Sequence, residues 1–319
     1  MAKDFVVGID IGGQSSKLGV VDARGEVLAQ SVIKANPSTD AQEVVNELAA
    51  AVLALIDKSG KKGQIRGIGV GAPNGNYYTG AIAFAANLPW AANKEVPFSD
   101  MLSKACGGLP VSLTNDANAA AVGEMTYGVA KGMKHFIMIT LGTGVGSGIV
   151  IDGKVVYGAD GFAGELGHNT AVRHNGRQCN CGKTGCLEAY CSAIGVARTA
   201  REWLEANDEP SLLRNVQEIT SKDVYEAAKD GDALAKRVFD FTGRILGEKL
   251  ADYVQFSAPE AIVLFGGLAR AKEFLYEPTL RSMNDNLLPI WKGKVKILFS
   301  QLKEADAAIL GASALAWEL

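Results

Sequence analysis

The sequence predicts an α/β protein built as two related lobes, and three observations carry that expectation. Apolar strands alternate with amphipathic helical stretches along 319 residues, a length that suits two domains. The composition is 48% hydrophobic and 21% charged with 37 glycines, as in ordinary globular α/β chains. The third observation is an internal echo. "FVVGIDIGGQSSKLGVVDARGEVLAQ", residues 5–30, reads as strand, glycine turn, strand, tight turn and strand. "FIMITLGTGVGSGIVIDGKVVYG", residues 136–158, repeats that plan. Placing Gly12 over Gly142 also places Val20 over Val150, Val21 over Ile151 and Asp22 over Asp152.

The elements follow in order. Ala23-Arg24-Gly25 supplies the turn chemistry of the first hairpin. "STDAQEVVNELAAAVLALIDKSG" reads as a helix capped by Ser38 or Thr39 and ended by Gly60. Val44, Val45, Leu48, Val52, Leu55 and Ile56 form its apolar face. "IRGIGVGAP" and "LPVSLTND" read as buried strands. The later chain is mostly helical, with "LEAYCSAIGVARTAREWL" and "DALAKRVFDFTGRILGEKLADYVQF" the clearest stretches. "AIVLFGG" is a buried strand ending in a double glycine, and "EADAAILGASALAWEL" a small-residue helix suited to close packing. No linker or charge block divides the chain, so the lobe boundary is expected at a crossover.

Composition also excludes partners. Net charge is −3 with acids and bases interspersed, which is no footprint for nucleic acid. "MAKDFVVGID" reaches an acid at once and does not read as a signal peptide. No apolar run approaches the ~20 residues of a membrane span. Five cysteines are an odd number, and "CNC" sets two too close for easy pairing. A reduced, cytoplasmic setting is expected.

Backbone N–H groups surround a phosphate only where no Cβ blocks the approach, so "DIGGQSSK" (10–17) and "TLGTGVGSG" (140–148) are candidate phosphate loops. A P-loop would need G-x-x-x-x-G-K-[ST], and a dinucleotide fingerprint a helix after the glycines. Both loops here run straight into β-branched strands. Two such strand–loop–strand grips could clamp a polyphosphate. Asp10, ending the first strand, is then placed to hold Mg²⁺, through water because Mg²⁺ keeps much of its hydration. Asn115 and Asp116 stand where a buried strand meets an Ala-rich helix; capping alone needs only one of them.

The cysteines concentrate in "GHNTAVRHNGRQCNCGKTGCLEAY", residues 167–190. One imidazole and three thiols, His168, Cys179, Cys181 and Cys186, can complete a tetrahedral Zn²⁺ shell, and a closed four-ligand shell is structural. The surroundings are polar and glycine-rich, unlike a core. His174 is a competing ligand, while Cys106 and Cys191 read as packed thiols.

"DIGGQSSK", "GVGAPNG", "NDANAAAVGE", "LGTGVGSG", "GELGH", "CNCGKTGCLE" and "LFGGL" occur in an order that resembles the ROK sugar kinases of the actin-like ATPase superfamily. The resemblance runs from residue 6 to the last helix, with one departure: Gln14 stands where the family has Thr. It implies a two-lobed actin-like ATPase (ribonuclease H-like) fold with the active-site cleft between the lobes. Residues 1–115 plus 305–319 would form a smaller N-terminal lobe, and 116–304 a larger C-terminal lobe with the zinc site. It implies ATP and Mg²⁺ as well as the structural Zn²⁺. Gly12, Gly13, Gln14, Ser15, Ser16 and Lys17 would meet phosphate with Asp10, as would Gly142, Thr143 and Gly144; Gly266 and Gly267 would border the adenosine. Asp116 would be the general base, with Asn115 holding the sugar beside it. Glu165, Glu188 and Asn87 would contact the sugar, and Gly75 would line its pocket. His168 would bind zinc with one ring nitrogen and a sugar hydroxyl with the other. A homodimer is expected.

That sugar set contains three carboxylates, Asp116, Glu165 and Glu188, and no Lys or Arg. Carboxylates accept hydrogen bonds from hydroxyls and repel anions, so the expected substrate is a neutral hexose. The resemblance points to glucose at its 6-hydroxyl; an N-acetylhexosamine or fructose stays open. Some ROK members are sugar-sensing repressors that carry an N-terminal helix-turn-helix. The first strand begins by residue 5, and the expectation is that no room remains for one. A non-enzymatic switch of the actin type would need neither sugar pocket nor zinc brace.

Overall fold

Three antiparallel strands open the computed structural model, which describes residues 3–319: β1 (Phe5–Ile11), β2 (Ser15–Asp22) and β3 (Val27–Lys34). Met1 and Ala2, at the start of the stretch read for a leader, lie outside the described residues. Asp22 shapes the β2–β3 turn, its side chain accepting the N–H groups of Arg24 at 2.9 Å and Glu26 at 2.8 Å. Helix α1 (Ala41–Ser59) starts later than its sequence suggests. Its cap is Asp40, whose carboxylate accepts the Gln42 N–H at 2.9 Å. Ser38 instead accepts the Asp40 N–H, one step outside the helix. The six apolar positions of the expected face are all buried, and Gly60 stops the helix in the left-handed region at φ 68°.

Strand β4 (Ile65–Gly71), the ribbon β5 (Ile82–Ala83) with β6 (Glu95–Val96), helix α2 (Phe98–Ala105), strand β7 (Val111–Thr114) and helix α3 (Asp116–Tyr127) follow. The sheet order is β3-β2-β1-β4-β7, with β4 parallel to β1 and β7 parallel to β4. Then the plan repeats. Strand β8 (Phe136–Leu141) pairs antiparallel with β9 (Val145–Ile151), and Asp152 and Gly153, both at positive φ, turn the chain into β10 (Lys154–Val155).

The stretch from residue 187 breaks into α4 (Glu188–Cys191) and α5 (Ala193–Ala206), because Ser192 leaves helical geometry to cap α5. Helices α6 (Ser221–Lys229) and α7 (Ala233–Ser257), strand β11 (Ala261–Phe265), helix α8 (Lys272–Asn286), strand β12 (Lys296–Phe299) and helix α9 (Glu304–Leu315) complete the chain. The order β9-β8-β11-β12, with β11 parallel to both β8 and β12, matches β2-β1-β4-β7 strand for strand. The echo in sequence therefore extends to two whole sheets.

The chain forms two compact units. The first runs through Gly132 and takes in Lys154–Ala163 and Gln301–Leu319; the second comprises Met133–Gly153 and Gly164–Ser300. This division differs from a break after residue 115, because α3 packs on α9. A Cβ on Gly123 would lie 2.7 Å from the Gly311 Cα, and one on Gly69 of β4 only 1.9 Å from the Ala312 carbonyl oxygen. Small residues let α9 lie flat on both elements, so α3 stays with the first sheet. The first core centres on Ile9, Leu18, Val45, Val52, Ile68 and Val70; the second on Ile139, Val238, Phe239, Leu246, Ile262 and Leu264. Among the described residues, no helix is long and apolar enough to cross a membrane.

Candidate active site

In the first unit two acids converge from different elements. Asp10, near the end of β1, stands opposite Lys17 across the ladder. Asp116 is the first residue of α3, following Asn115, whose side chain caps the helix by accepting the Asn118 N–H at 2.7 Å. Gly71, ending β4, separates them: a Cβ there would lie 3.7 Å from the Asp116 Cα and 4.0 Å from Asp10 Oδ1. Asp10 is pushed up to about 6, first by burial and then by the Asp116 charge, with Lys17 opposing. Asp116 is raised as well, chiefly by desolvation, while the Ala117 N–H at 2.8 Å works against the shift. Asp116 remains open to solvent on one side; the protein around it weakens its hydration without sealing it off. A pair of half-hydrated carboxylates suits a cation and a proton acceptor.

The first glycine loop closes with the Gly12 N–H donating to the Ser15 carbonyl at 3.0 Å. Strand alternation divides the expected phosphate residues. Lys17, and with it Ser15, shares the Asp10 face, whereas Ser16 is buried on the opposite face, lining a cavity with Asn87, Leu88 and Trp90. Gln14 is exposed at the tip, and its carbonyl accepts the Ala35 N–H at 2.9 Å. Asn87 sits on the segment between β5 and β6, pinned by Trp90 stacked on Phe98 at 5.6 Å. It abuts the loop, since a Cβ on Gly13 would lie 3.0 Å from the Asn87 carbonyl oxygen. Gly75 packs under the same region: a Cβ there would fall 2.5 Å from the Thr114 carbonyl, just ahead of Asn115.

In the second unit the hairpin tip is Gly142, Thr143 and Gly144, with Thr143 exposed and open space where a Gly142 Cβ would stand. Gly266 takes φ +102° and packs on Leu141, at the foot of this tip. Gly267 again faces open space and borders a cavity lined by Ser221, Lys222, Tyr225, Leu268 and Arg270.

The four metal-ligand candidates come together: one ligand atom each of His168, Cys179, Cys181 and Cys186 lies within 4.8 Å of the others. Cys181 and Cys186 Sγ are 3.7 Å apart, and Cys179 Sγ is 3.8 Å from His168 Nδ1. Zn–S bonds of about 2.3 Å in a tetrahedron give edges near ~3.8 Å, so the donor set fits zinc. His174 is exposed and does not belong to the group. Cys106 and Cys191 are buried thiols, both raised by burial, Cys106 to about 11.

His168 ends a tight turn, Leu166–His168, that begins after Glu165. Ser147 of β9 and Tyr253 of α7 hold it. The Ser147 hydroxyl donates to the Gly164 carbonyl and accepts the Leu166 N–H at 3.2 Å; Tyr253 donates to the Leu166 carbonyl at 2.8 Å. Arg177, two residues before Cys179, fastens the loop from below. Its guanidinium reaches Glu202 at 2.6 Å, Thr199 at 2.9 Å and the Ala189 carbonyl at 3.2 Å, over the Tyr190 ring. None of these supports is legible in the motifs; only the long-range fold reveals them. Glu188 carries a surprise of another kind, since its carboxylate accepts the Val145 N–H at 2.9 Å at the foot of the second glycine loop.

The sequence and the fold have counterparts. The glucokinase of Halalkalibacterium halodurans is 36% identical over 316 residues, 98% of this chain and 94% of that protein. The xylose repressor of Caldicellulosiruptor bescii is 29% identical over 98% of this chain and 77% of its own length. The crystal structure of a ROK family glucokinase from Streptomyces griseus, in complex with glucose and AMPPNP, superposes with a TM-score of 0.80. It is 32% identical, covering 99% of this chain and 100% of that one. The ROK family model matches residues 6–318, and with two glycine-tipped hairpins, a helix-borne acid and a Cys/His cluster on one chain, this protein belongs to the ROK family.

Proposed function

We propose that this ROK protein is an ATP-dependent hexose kinase that phosphorylates glucose at its 6-hydroxyl. The observation that carries the reading is Asp116: an acid at the head of α3, raised above the ordinary carboxylate range and set beside Asp10 at the end of the first glycine hairpin. A base closer to the operating pH accepts a hydroxyl proton more readily. Asp116 takes that proton as the sugar oxygen attacks the γ-phosphorus, and ADP departs with the bridging oxygen. Phosphoryl transfer asks the protein for positioning and charge stabilisation, little more. Mg²⁺, when bound, neutralises phosphate charge, and Asp10 would hold it through its water shell. The two glycine tips take phosphate through their backbone N–H groups, and the cavity beside Gly267 takes the base.

For the sugar, the reading draws on Asn87, Asn115, Asp116, Glu165, His168 and Glu188. Zinc on His168 Nδ1 would leave Nε2 for a hydroxyl. The zinc is structural in this reading, because all four ligands come from the protein. Dimerisation and a cytoplasmic location belong to the same proposal; reduced thiols around zinc fit a reducing compartment.

The test is coupled ADP release over glucose, mannose, fructose, allose, N-acetylglucosamine and N-acetylmannosamine, ranked by kcat/KM. Glucose should lead. An N-acetylated sugar ahead by tenfold, about 1.4 kcal/mol of transition-state binding, would move the assignment to an N-acetylhexosamine kinase. Sugar binding without turnover on any member would favour the sensing role of the repressors.

A further inference from the structure

Glu188 has a geometry that its place in the cysteine motif does not explain. One carboxylate oxygen, Oε2, accepts the N–H of Val145, the residue that follows Gly142–Thr143–Gly144. The other, Oε1, lies 3.6 Å from Cys179 Sγ. A Cβ on Gly144 would fall 2.4 Å from Oε2, so glycine there is what lets the carboxylate reach the loop. The Val145 carbonyl packs closely on the same segment: a Cβ on Gly167 would lie 1.9 Å from it, and Gly167 precedes His168. The Val145 N–H is thus bound by Glu188, two residues after Cys186, and its carbonyl is closely approached by the residue before His168.

We propose that Glu188 is a positioning residue through which the Cys/His cluster sets the shape of the second glycine loop, so that metal loading governs nucleotide affinity. The inference rests on reading residues 142–144 as a nucleotide phosphate grip. Glycine-rich backbone is flexible, and its N–H groups hold phosphate well only when already aimed. A charge-assisted hydrogen bond from Val145 to a fixed carboxylate supplies that aim. Glu188 is fixed because it begins two residues after Cys186, and a bound metal would immobilise that point.

The experiment titrates Mg²⁺–AMPPNP calorimetrically, without sugar, into metal-replete wild type, Glu188→Gln and Glu188→Ala, with metal content measured for each. Titration is repeated after stripping with a chelator. Gln keeps an acceptor for the Val145 N–H, and its affinity should stay within about threefold of wild type. Ala loses the acceptor and should bind about tenfold more weakly. Stripping should weaken wild type but not Glu188→Ala. If stripped protein unfolds, titration of folded protein partly depleted of metal replaces the stripped sample: wild-type affinity should fall with metal content and Glu188→Ala should not follow, and the proposal fails if both or neither follow.

Tighter binding by both variants would mean that Glu188 acts only as a like charge near phosphate, and the proposal fails. It fails equally if Ala binds as wild type does, or if stripping affects Ala and wild type alike. A wild type that binds no nucleotide overturns the loop reading itself, and this inference with it.

Discussion

The two hairpins share strand order and direction, yet they close differently. The first pairs Ile11 with Ser16 around residues 12–15, and the second pairs Leu141 with Val145 around residues 142–144, so the first tip is longer by one residue. Their surroundings differ more. The first carries charge in its own ladder, Asp10 opposite Lys17, and meets Asp116 from the next helix. The second has Ile139 and Leu141 near its tip and receives a carboxylate from outside, Glu188, which begins α4 just after the cysteine cluster and the loop that Arg177 fastens. One hairpin carries a buried acid, Asp10, and lies beside a second, Asp116 of α3, while the other takes a carboxylate from a distant segment. The two sheets share one strand plan, but the carboxylate beside the first tip comes from its own ladder and that beside the second from the segment after β10.

The largest expected effect lies in the first copy. Asp116→Asn keeps size and the Ala117 contact but removes the proton acceptor. Turnover should fall by ~10²–10⁴-fold, with sugar and nucleotide dissociation constants little changed. Stopped or steady-state ADP release, paired with equilibrium binding, separates these quantities. Near wild-type turnover would move the chemistry out of this copy and undo the comparison.

The bracing of the second copy comes next. Cys181 is the exposed member of the cluster, and Cys181→Ser should take metal content well below one zinc per chain and lower thermal stability. Arg177→Met is subtler. It touches no ligand atom, but it removes the guanidinium that ties the loop to Glu202, Thr199 and the Ala189 carbonyl. Loss of such outer support typically costs 10–100-fold in metal affinity, measurable by chelator competition. A full zinc complement of unchanged affinity in Arg177→Met would show that the ligands hold their own geometry.

These expectations mark how much the sequence discloses. Hairpins, the α1 face and the small-residue helix α9 follow from periodicity and glycine punctuation, because those signals are local. The cluster His168, Cys179, Cys181 and Cys186 was legible because few other packings use one imidazole and three thiols at such spacing. Ser38, Thr39 and Asp40 all have capping chemistry, so sequence alone points to Ser38 or Thr39 as the α1 cap, and only backbone geometry selects Asp40. The motif groups Ser16 with Ser15, whereas the pleat sends Ser16 to the opposite face. The division after residue 115 reflected a strand end; α3 stays with the first unit because Gly123 and Gly311 pack against each other, a contact between residues far apart in sequence. Arg177, Ser147 and Tyr253 leave no motif for the same reason: each acts across long sequence separations or through backbone groups.

The smallest effect is the most specific to the first copy. Asp10 is held at about 6 against an ordinary 3.8, mainly by burial and then by Asp116. A folded-state pKa above the unfolded one means that the native chain binds the proton more tightly. Stability from this group is therefore present at low pH and is lost as pH rises from about 3.8 towards about 6. At pH 7 the ionised Asp10 destabilises the ligand-free protein, by on the order of 1 kcal/mol once its partial exposure is allowed for. Asp10→Asn should thus raise the melting temperature at pH 7 by a few degrees and weaken Mg²⁺–nucleotide binding, with the stability gain vanishing near pH 4. The corresponding position in the second copy, Thr140, has no charge to relieve, and Thr140→Val should give no such pH-dependent gain. If Asp10→Asn stabilises equally at pH 4 and pH 7, or destabilises at both, the acid is not held against its hydration and the contrast between the two hairpins loses its electrostatic half.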